Sequence, residues 1–136
     1  MTAGLSEPNI DASIKKSLEL LGVKQVNILY SHMPDPKVPI EESARAFDKH
    51  FRAGLFKELG LCNYSASQMK GWLQVCEKNN YIKPTVWQGQ YNAIKRSPED
   101  ELFPLLKEHG IRIYAYRSVP SHFPTATNKI LTIAAP

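Results

Sequence analysis

Short apolar runs alternate with helical patterns along most of this chain. Four of these runs predict β-strands at about 26–31, 57–62, 85–90 and 111–116. The first run, VNILYS, is almost uniformly apolar, which is typical of a strand that is covered on both faces. The strand starts lie roughly thirty residues apart, about the length of one β-α unit. The pattern therefore predicts parallel strands that are connected by helices.

A helical pattern precedes each predicted strand. The first helix ends at Gly22, and further helices are predicted at about 40–53 and 66–79. A fourth helix is predicted to begin at Ser97, with a proline at its first position and acidic residues in its first turn, and to end at Gly110. Helix and strand thus alternate in the order of parallel crossovers, for which right-handed connections are expected.

These elements predict an α/β fold, namely a partial (β/α)8 TIM barrel with about four parallel strands and intervening helices. At 136 residues the chain is long enough for one domain but shorter than a complete eight-unit barrel, which needs roughly 250 residues. We predict that residues 5–116 form the partial barrel. Residues 117–136 contain three prolines and no useful helical period, so we predict an irregular C-terminal tail there.

A four-stranded parallel sheet has two free edges, here the predicted strands 26–31 and 111–116. Natural proteins usually pair or cover such edges. We therefore expect self-association through the exposed edges, unless a complementary chain pairs with them.

Composition limits the classes of partner and the cellular compartment that we expect for this chain. The formal net charge is +4, but the 17 lysines and arginines are scattered, so we expect no nucleic-acid partner. The same basicity suits an anionic cofactor. Cys62 and Cys76 are too few for a disulfide framework and lack metal-ligand spacing, so no metal is expected. The absence of a recognisable secretory signal or membrane span predicts a cytoplasmic protein with no membrane partner.

Four polar or aromatic residues lie at the carboxyl ends of the predicted strands: His32, Asn63, Gln88 and Tyr116. Each alone has an ordinary explanation. A histidine after a strand is more often packed or solvated than catalytic, and an asparagine there often serves a turn. Their joint occurrence at equivalent depth favours a shared site, because the carboxyl ends of parallel strands carry the chemistry of such folds.

Four motifs carry a resemblance to a known family. They are ILYSHMPD from Ile28, ELGLCNY from Glu58, VWQGQYN from Val86 and IYAY from Ile113. In order and spacing they resemble the aldo-keto reductases, most of all the aflatoxin-aldehyde-reductase-like branch and related fungal enzymes. The resemblance runs from about Leu5 to Tyr116 and corresponds to the third helix through the seventh strand of the family's barrel. Residues 118–136 show no such resemblance.

The resemblance implies a reaction and a role for each matching residue. The reaction is NADPH-dependent reduction of a small-molecule aldehyde or ketone to an alcohol, with a setting in fungal secondary metabolism. His32 matches the histidine that polarises the substrate carbonyl, and Asn63 and Gln88 match the amides that bind the nicotinamide carboxamide. Tyr116 matches the aromatic residue on which the nicotinamide ring stacks. Cys62 occupies a cofactor-binding position where the family usually has serine, and a thiol is the poorer hydrogen-bond donor.

The resemblance also leaves part of the family's machinery unmatched. The family's catalytic aspartate, tyrosine and lysine align upstream of Met1, and the unit that holds the 2′-phosphate of NADP is not matched. We therefore expect the isolated chain to bind NADP(H) weakly and to turn over no carbonyl substrate. The alternative is a truncated, non-catalytic fragment or an interaction partner that completes another chain's barrel.

Overall fold

A computed structural model describes residues 4–118 as one parallel sheet with helices packed against it. The strands are β1 (Val26–Ser31), β2 (Phe56–Cys62), β3 (Pro84–Gln90) and β4 (Arg112–Tyr116). The helices are α1 (Glu7–Leu21), α2 (Ile40–Arg52), α3 (Ala66–Asn79) and α4 (Leu102–Glu108), and a 3₁₀ turn spans Ser97–Glu99. The strand order is β1-β2-β3-β4, and every neighbouring pair is parallel.

This architecture confirms the predicted partial (β/α) barrel. A helix precedes each strand, so the described residues form four consecutive αβ units. The predicted division at residue 116 stays a prediction, because most of the predicted tail, residues 119–136, lies outside the described residues. None of the helices described is long and apolar enough to cross a membrane.

Local sequence explains where the helices begin and end. α3 begins with a capping box, in which the backbone N–H of Gln68 donates to Ser65 Oγ at 3.3 Å and the backbone N–H of Ser65 donates to Gln68 Oε1 at 2.9 Å. α1 ends at Gly22, which has φ 65°, a left-handed conformation that glycine adopts without steric cost.

The predicted helix start at Ser97 is wrong. Residues Ser97–Glu99 form a separate 3₁₀ turn without a side-chain cap, and α4 begins only at Leu102. Pro104 provides the physical reason, because it has no amide N–H and is tolerated only in the first turn of a helix. A helix from Ser97 would place Pro104 in its interior, whereas a helix from Leu102 places it in the first turn.

One face of the sheet packs on the helices and forms the hydrophobic core. Leu59, Leu61 and Trp87 on this face are buried against helix residues that include Trp72 and Leu106. α1 is further tied to α2 by charged groups. Lys49 Nζ donates to Glu7 Oε1 and to Asp11 Oδ2, each at 2.8 Å, and His50 Nε2 lies 2.6 Å from Asp11 Oδ1.

The opposite face of the sheet, which we call the open face, carries Tyr30, Glu58, Gly60, Gln88 and Arg112. The Tyr30 ring lies directly on Gly60, where an added Cβ would come within 2.3 Å of a ring carbon. Glu58 accepts hydrogen bonds from Thr85 and Arg112, which hold the pKa of its carboxyl below the usual range. These contacts connect all four strands across the open face.

Candidate functional site

Asn63 contacts the ends of the three other strands. Its backbone N–H donates to the carbonyl of Gln88 at 2.8 Å, and its Nδ2 donates to the carbonyl of His32 at 3.0 Å. Its Oδ1 accepts from the Tyr116 hydroxyl at 2.7 Å. Asn63 is therefore a common partner of the other three residues that the sequence singled out, although His32 and Gln88 contact it only through their backbone carbonyls.

The backbone of Asn63 makes this arrangement possible. Asn63 directly follows β2 and has φ 64°, the left-handed region that most residues avoid. Asparagine tolerates this conformation better than most side chains do. The turn reverses the chain just before the α3 cap at Ser65, and the side chain is held between β1 and β4.

Cys62 and Gln88 form a second pair at the strand ends. The Cys62 thiol donates to Gln88 Oε1, with a sulfur–oxygen distance of 3.2 Å. Cys62 is buried, and burial raises the pKa of its thiol to about 11. A neutral thiol remains a donor, so Cys62 orients the Gln88 amide. Its predicted direct contact with a cofactor stays a prediction.

A buried network supports the turn at Asn63 from the core side. The hydroxyl oxygens of Ser31 and Tyr64 are 2.8 Å apart, and Trp87 Nε1 donates to the Tyr64 carbonyl at 3.0 Å. Burial raises the pKa of Tyr64 to about 12, so its hydroxyl stays protonated. Sequence reasoning missed this network. The available signal was position, since Ser31 precedes His32 and Tyr64 follows Asn63.

A cleft of ≈ 490 Å³ opens between the ends of β2, β3 and β4 and the 3₁₀ turn. Its polar lining comprises residues from these strand ends, the 3₁₀ turn and the adjoining loops: Asn63, Ser65, Gln90, Lys95, Ser97, Asp100, Glu101 and Tyr116. Tyr116 is 36% exposed, so its ring is accessible from solvent. A cleft of this size and position is typical of a small-molecule site.

The histidine side chain lies apart from this cleft. His32 is exposed and lines a neighbouring cleft of ≈ 430 Å³ with the Pro-rich loop that follows β1, including Pro34, Asp35 and Lys37. Only the backbone carbonyl of His32 contacts Asn63. In residues 4–118, no cluster of three or more histidine, cysteine, aspartate or glutamate side chains could hold a metal ion.

The order of elements, the parallel sheet and the polar strand ends define this chain as part of a (β/α) barrel. A glycerol dehydrogenase from Gluconobacter oxydans has the same arrangement, with a TM-score of 0.75 and 28% sequence identity. That alignment covers 83% of this chain and 33% of the dehydrogenase chain.

The chain belongs to the aldo/keto reductase family, whose family model matches residues 1–132. The match extends beyond Tyr116 and so includes residues for which the motifs gave no resemblance. The chain is 39% identical over 125 residues to human aldo-keto reductase family 7 member A3, covering 92% of this chain and 38% of that protein. It is 40% identical over 105 residues to the oxidoreductase sirO of Leptosphaeria maculans, covering 77% of this chain and 32% of sirO. The chain thus spans about a third of the length of these relatives.

Proposed function

We propose that this chain carries the nicotinamide-binding side of an NADPH-dependent reductase that converts an aldehyde or ketone to an alcohol. Membership of an oxidoreductase family supports this proposal. The observation that carries it is the set of polar contacts at the ends of adjacent parallel strands, where the Asn63 amide accepts from the hydroxyl of the exposed Tyr116 ring and the neighbouring Cys62 thiol holds the Gln88 amide. We also propose a setting in fungal secondary metabolism, with which fungal relatives such as sirO are consistent, and a cytoplasmic location.

The donor set at the strand ends fits a carboxamide ligand. Gln88 uses Oε1 for Cys62, which leaves its Nε2 without a hydrogen-bond partner among residues 4–118. The Asn63 side chain donates one Nδ2 hydrogen to His32 and accepts one hydrogen bond at Oδ1 from Tyr116. A primary amide has two N–H donors and two acceptor lone pairs, so one of each remains for a ligand. A nicotinamide carboxamide needs one acceptor and one donor, and these two amides retain both.

Each of these residues would have a distinct task in the proposed reductase. Bound NADPH would supply the hydride, and the protein must keep its ring flat with one face open to the substrate. The accessible ring of Tyr116 provides a stacking surface, while the Asn63 and Gln88 amides fix the rotation of the carboxamide. His32 would donate a hydrogen bond to the carbonyl oxygen, where negative charge develops during reduction. That role requires the exposed imidazole to turn from its own cleft toward the substrate.

A titration of the 136-residue chain with NADPH, followed by cofactor fluorescence, tests the proposal. We expect weak binding. Gln88→Ala should raise the dissociation constant roughly tenfold, because the hydrogen bond it removes contributes about 1.4 kcal/mol of binding free energy. Lys70→Ala, at an exposed position of α3, is the matched control and should bind like the unaltered chain. Equal binding by all three proteins would contradict the proposed site.

The same preparation tests whether the chain acts alone. We expect no NADPH oxidation in the presence of aldehydes, because general acid catalysis contributes about 10²–10⁴-fold and the family's tyrosine acid is not among the matched residues. Turnover at roughly 1 per second or faster, which is typical of enzymes, would contradict this expectation.

A further inference from the structure

Asn92 is a buried polar residue that has no task in the proposed site. It is 7% exposed, and it follows β3 at the end of the motif VWQGQYN. It does not line the cleft of ≈ 490 Å³, so any effect on a ligand there passes through its neighbours. A buried primary amide is costly unless its donors and acceptors are paired. Its hydrogen bonds therefore show what it holds in place.

The Asn92 side chain joins two segments of the chain. Its Oδ1 accepts from the backbone N–H of Ile94 at 3.0 Å and of Lys95 at 2.9 Å, which closes a tight turn after β3. Its Nδ2 donates to the backbone carbonyl of Arg117 at 3.0 Å. One amide thus connects the turn after β3 to the residue that directly follows Tyr116 at the end of β4.

The backbone of Arg117 depends on such a connection. Arg117 is exposed and has φ 51°, in the left-handed region that residues with a long side chain rarely adopt. A residue in this region keeps its conformation only where the surrounding structure fixes it. The hydrogen bond from Asn92 therefore helps to set the direction of the chain immediately after Tyr116.

Tyr116 is held on both sides of its Cα atom. Its backbone carbonyl accepts from the N–H of Tyr91 at 3.4 Å, and its hydroxyl donates to Asn63 Oδ1 at 2.7 Å. The ring lines the cleft opposite Lys95 and Ser97, which belong to the segment that Asn92 begins. A change in the backbone at residue 117 would therefore turn the Tyr116 ring relative to Asn63 and to the cleft.

The turn after β3 has further support that does not involve the Asn92 side chain. The backbone N–H of Asn92 donates to the Lys95 carbonyl at 3.3 Å. Glu99 accepts from Arg96 Nε at 2.9 Å and from the Tyr91 hydroxyl at 2.5 Å. Loss of the Nδ2 donor alone should consequently release residue 117 and leave this turn in place.

We propose that Asn92 is a positioning residue for the cofactor, which holds the Arg117 carbonyl and thereby fixes the Tyr116 ring at the angle at which the nicotinamide stacks. This inference rests on the proposed function, because it adds a task at the same site. Asn92 touches neither cofactor nor substrate and acts through Tyr116. The role requires an amide, since aspartate would keep the two acceptor contacts and lose the donor.

NMR of the chain without cofactor tests the geometry. Asn92→Asp removes only the donor to Arg117. We expect the backbone resonances of Arg117 and the side-chain amide resonances of Asn63 to shift, because the bond from the Tyr116 hydroxyl to Asn63 changes. Unchanged resonances in the folded variant would overturn the proposal.

Asn79→Asp is the matched control for this substitution. Asn79 Nδ2 donates to the Val75 carbonyl at 2.9 Å, at the opposite end of α3 from the cap at Ser65. The control loses the same kind of donor and should leave the resonances of Arg117 and Asn63 in place. Equal shifts at these two residues in both variants would mean a general effect on the fold and would overturn the proposal.

A double-mutant cycle on NADPH binding tests whether Asn92 acts through Tyr116. We expect Asn92→Asp to raise the dissociation constant by at least roughly threefold. In the Tyr116→Ala background the same substitution should have no further effect, because the ring on which it acts is gone. Independent effects of equal size in the two backgrounds would contradict the proposed role.

The binding measurement also separates this inference from the proposed function. No NADPH binding by the unaltered chain would contradict the proposed function, and the role of Asn92 would fall with it. NADPH binding that Asn92→Asp leaves unchanged would overturn the role of Asn92 and leave the proposed function intact.

Two variants at residue 117 decide the question if Asn92→Asp does not fold. Arg117→Gly and Arg117→Val both remove the guanidinium, but only glycine adopts the left-handed conformation freely. We expect the dissociation constant for NADPH to be at least roughly threefold higher in Arg117→Val than in Arg117→Gly. Equal constants for the two variants would overturn the proposal.

Discussion

The left-handed backbone of Asn63 leads to a prediction in which two substitutions separate backbone strain from the loss of the amide. Alanine in this conformation costs about 1–2 kcal/mol, whereas glycine adopts it freely. Both variants lose the bonds to His32 and Tyr116. Each bond contributes about 0.5–1.5 kcal/mol, and we use the lower end because Asn63 is exposed.

We therefore expect Asn63→Ala to lower the free energy of unfolding by about 2–3 kcal/mol. Asn63→Gly should cost about 1 kcal/mol less, since the strain it avoids exceeds the roughly 0.4–1 kcal/mol of extra unfolded-chain entropy. Asn63→Asp keeps an acceptor for Tyr116 and loses only the donor to His32, so it should be the mildest of the three. Urea unfolding followed by tryptophan fluorescence measures all three. An alanine variant as stable as the glycine variant would refute the reasoning.

Three further predictions concern buried and charged groups. Ser31→Ala and Tyr64→Phe should each lower the free energy of unfolding by about 1–3 kcal/mol, because each leaves a buried hydroxyl unpaired. In a double-mutant cycle measured by chemical denaturation, the double variant should lose clearly less than the sum of the two single losses. The hydrogen bond from Lys49 lowers the pKa of Asp11, so its stabilising effect is present above the ordinary pKa of 3.8 and is lost as pH falls through the lowered value. Acid unfolding of Asp11→Asn should consequently depend less steeply on pH. The Cys62 thiol, with its pKa raised to about 11, should react with alkylating reagents at pH 8 far more slowly than a free cysteine, and a rate equal to that of free cysteine would contradict its burial.

The sheet and its strand ends were predictable because their signals are local. Each strand is a short apolar run that ends on a polar or aromatic residue, and the parallel order follows from the helices between the strands. The start of α4 was also readable, but its decisive residue is Pro104 rather than the cap-like Ser97. The prediction at Ser97 is wrong because the proline seven residues later would lie in the interior of a helix that began there.

Other parts of the site depend on which strands are neighbours. The bond between Ser31 and Tyr64 joins β1 to the residues after β2, and sequence separation gives no sign of it. The direction of the His32 side chain could likewise not be predicted from the sequence. Its position at a strand end was predictable, but its exposure to a separate cleft follows from the path of the Pro-rich loop after β1.

Saturation-transfer NMR of the 136-residue chain with NADPH tests the central claim, that Asn63, Gln88 and Tyr116 hold the nicotinamide end of the cofactor. We expect saturation from the protein to reach the nicotinamide protons more strongly than the adenine protons. Tyr116→Ala should reduce the nicotinamide signal, because the stacking surface is removed. Strongest saturation at the adenine protons, or a nicotinamide signal that Tyr116→Ala leaves unchanged, would contradict the claim.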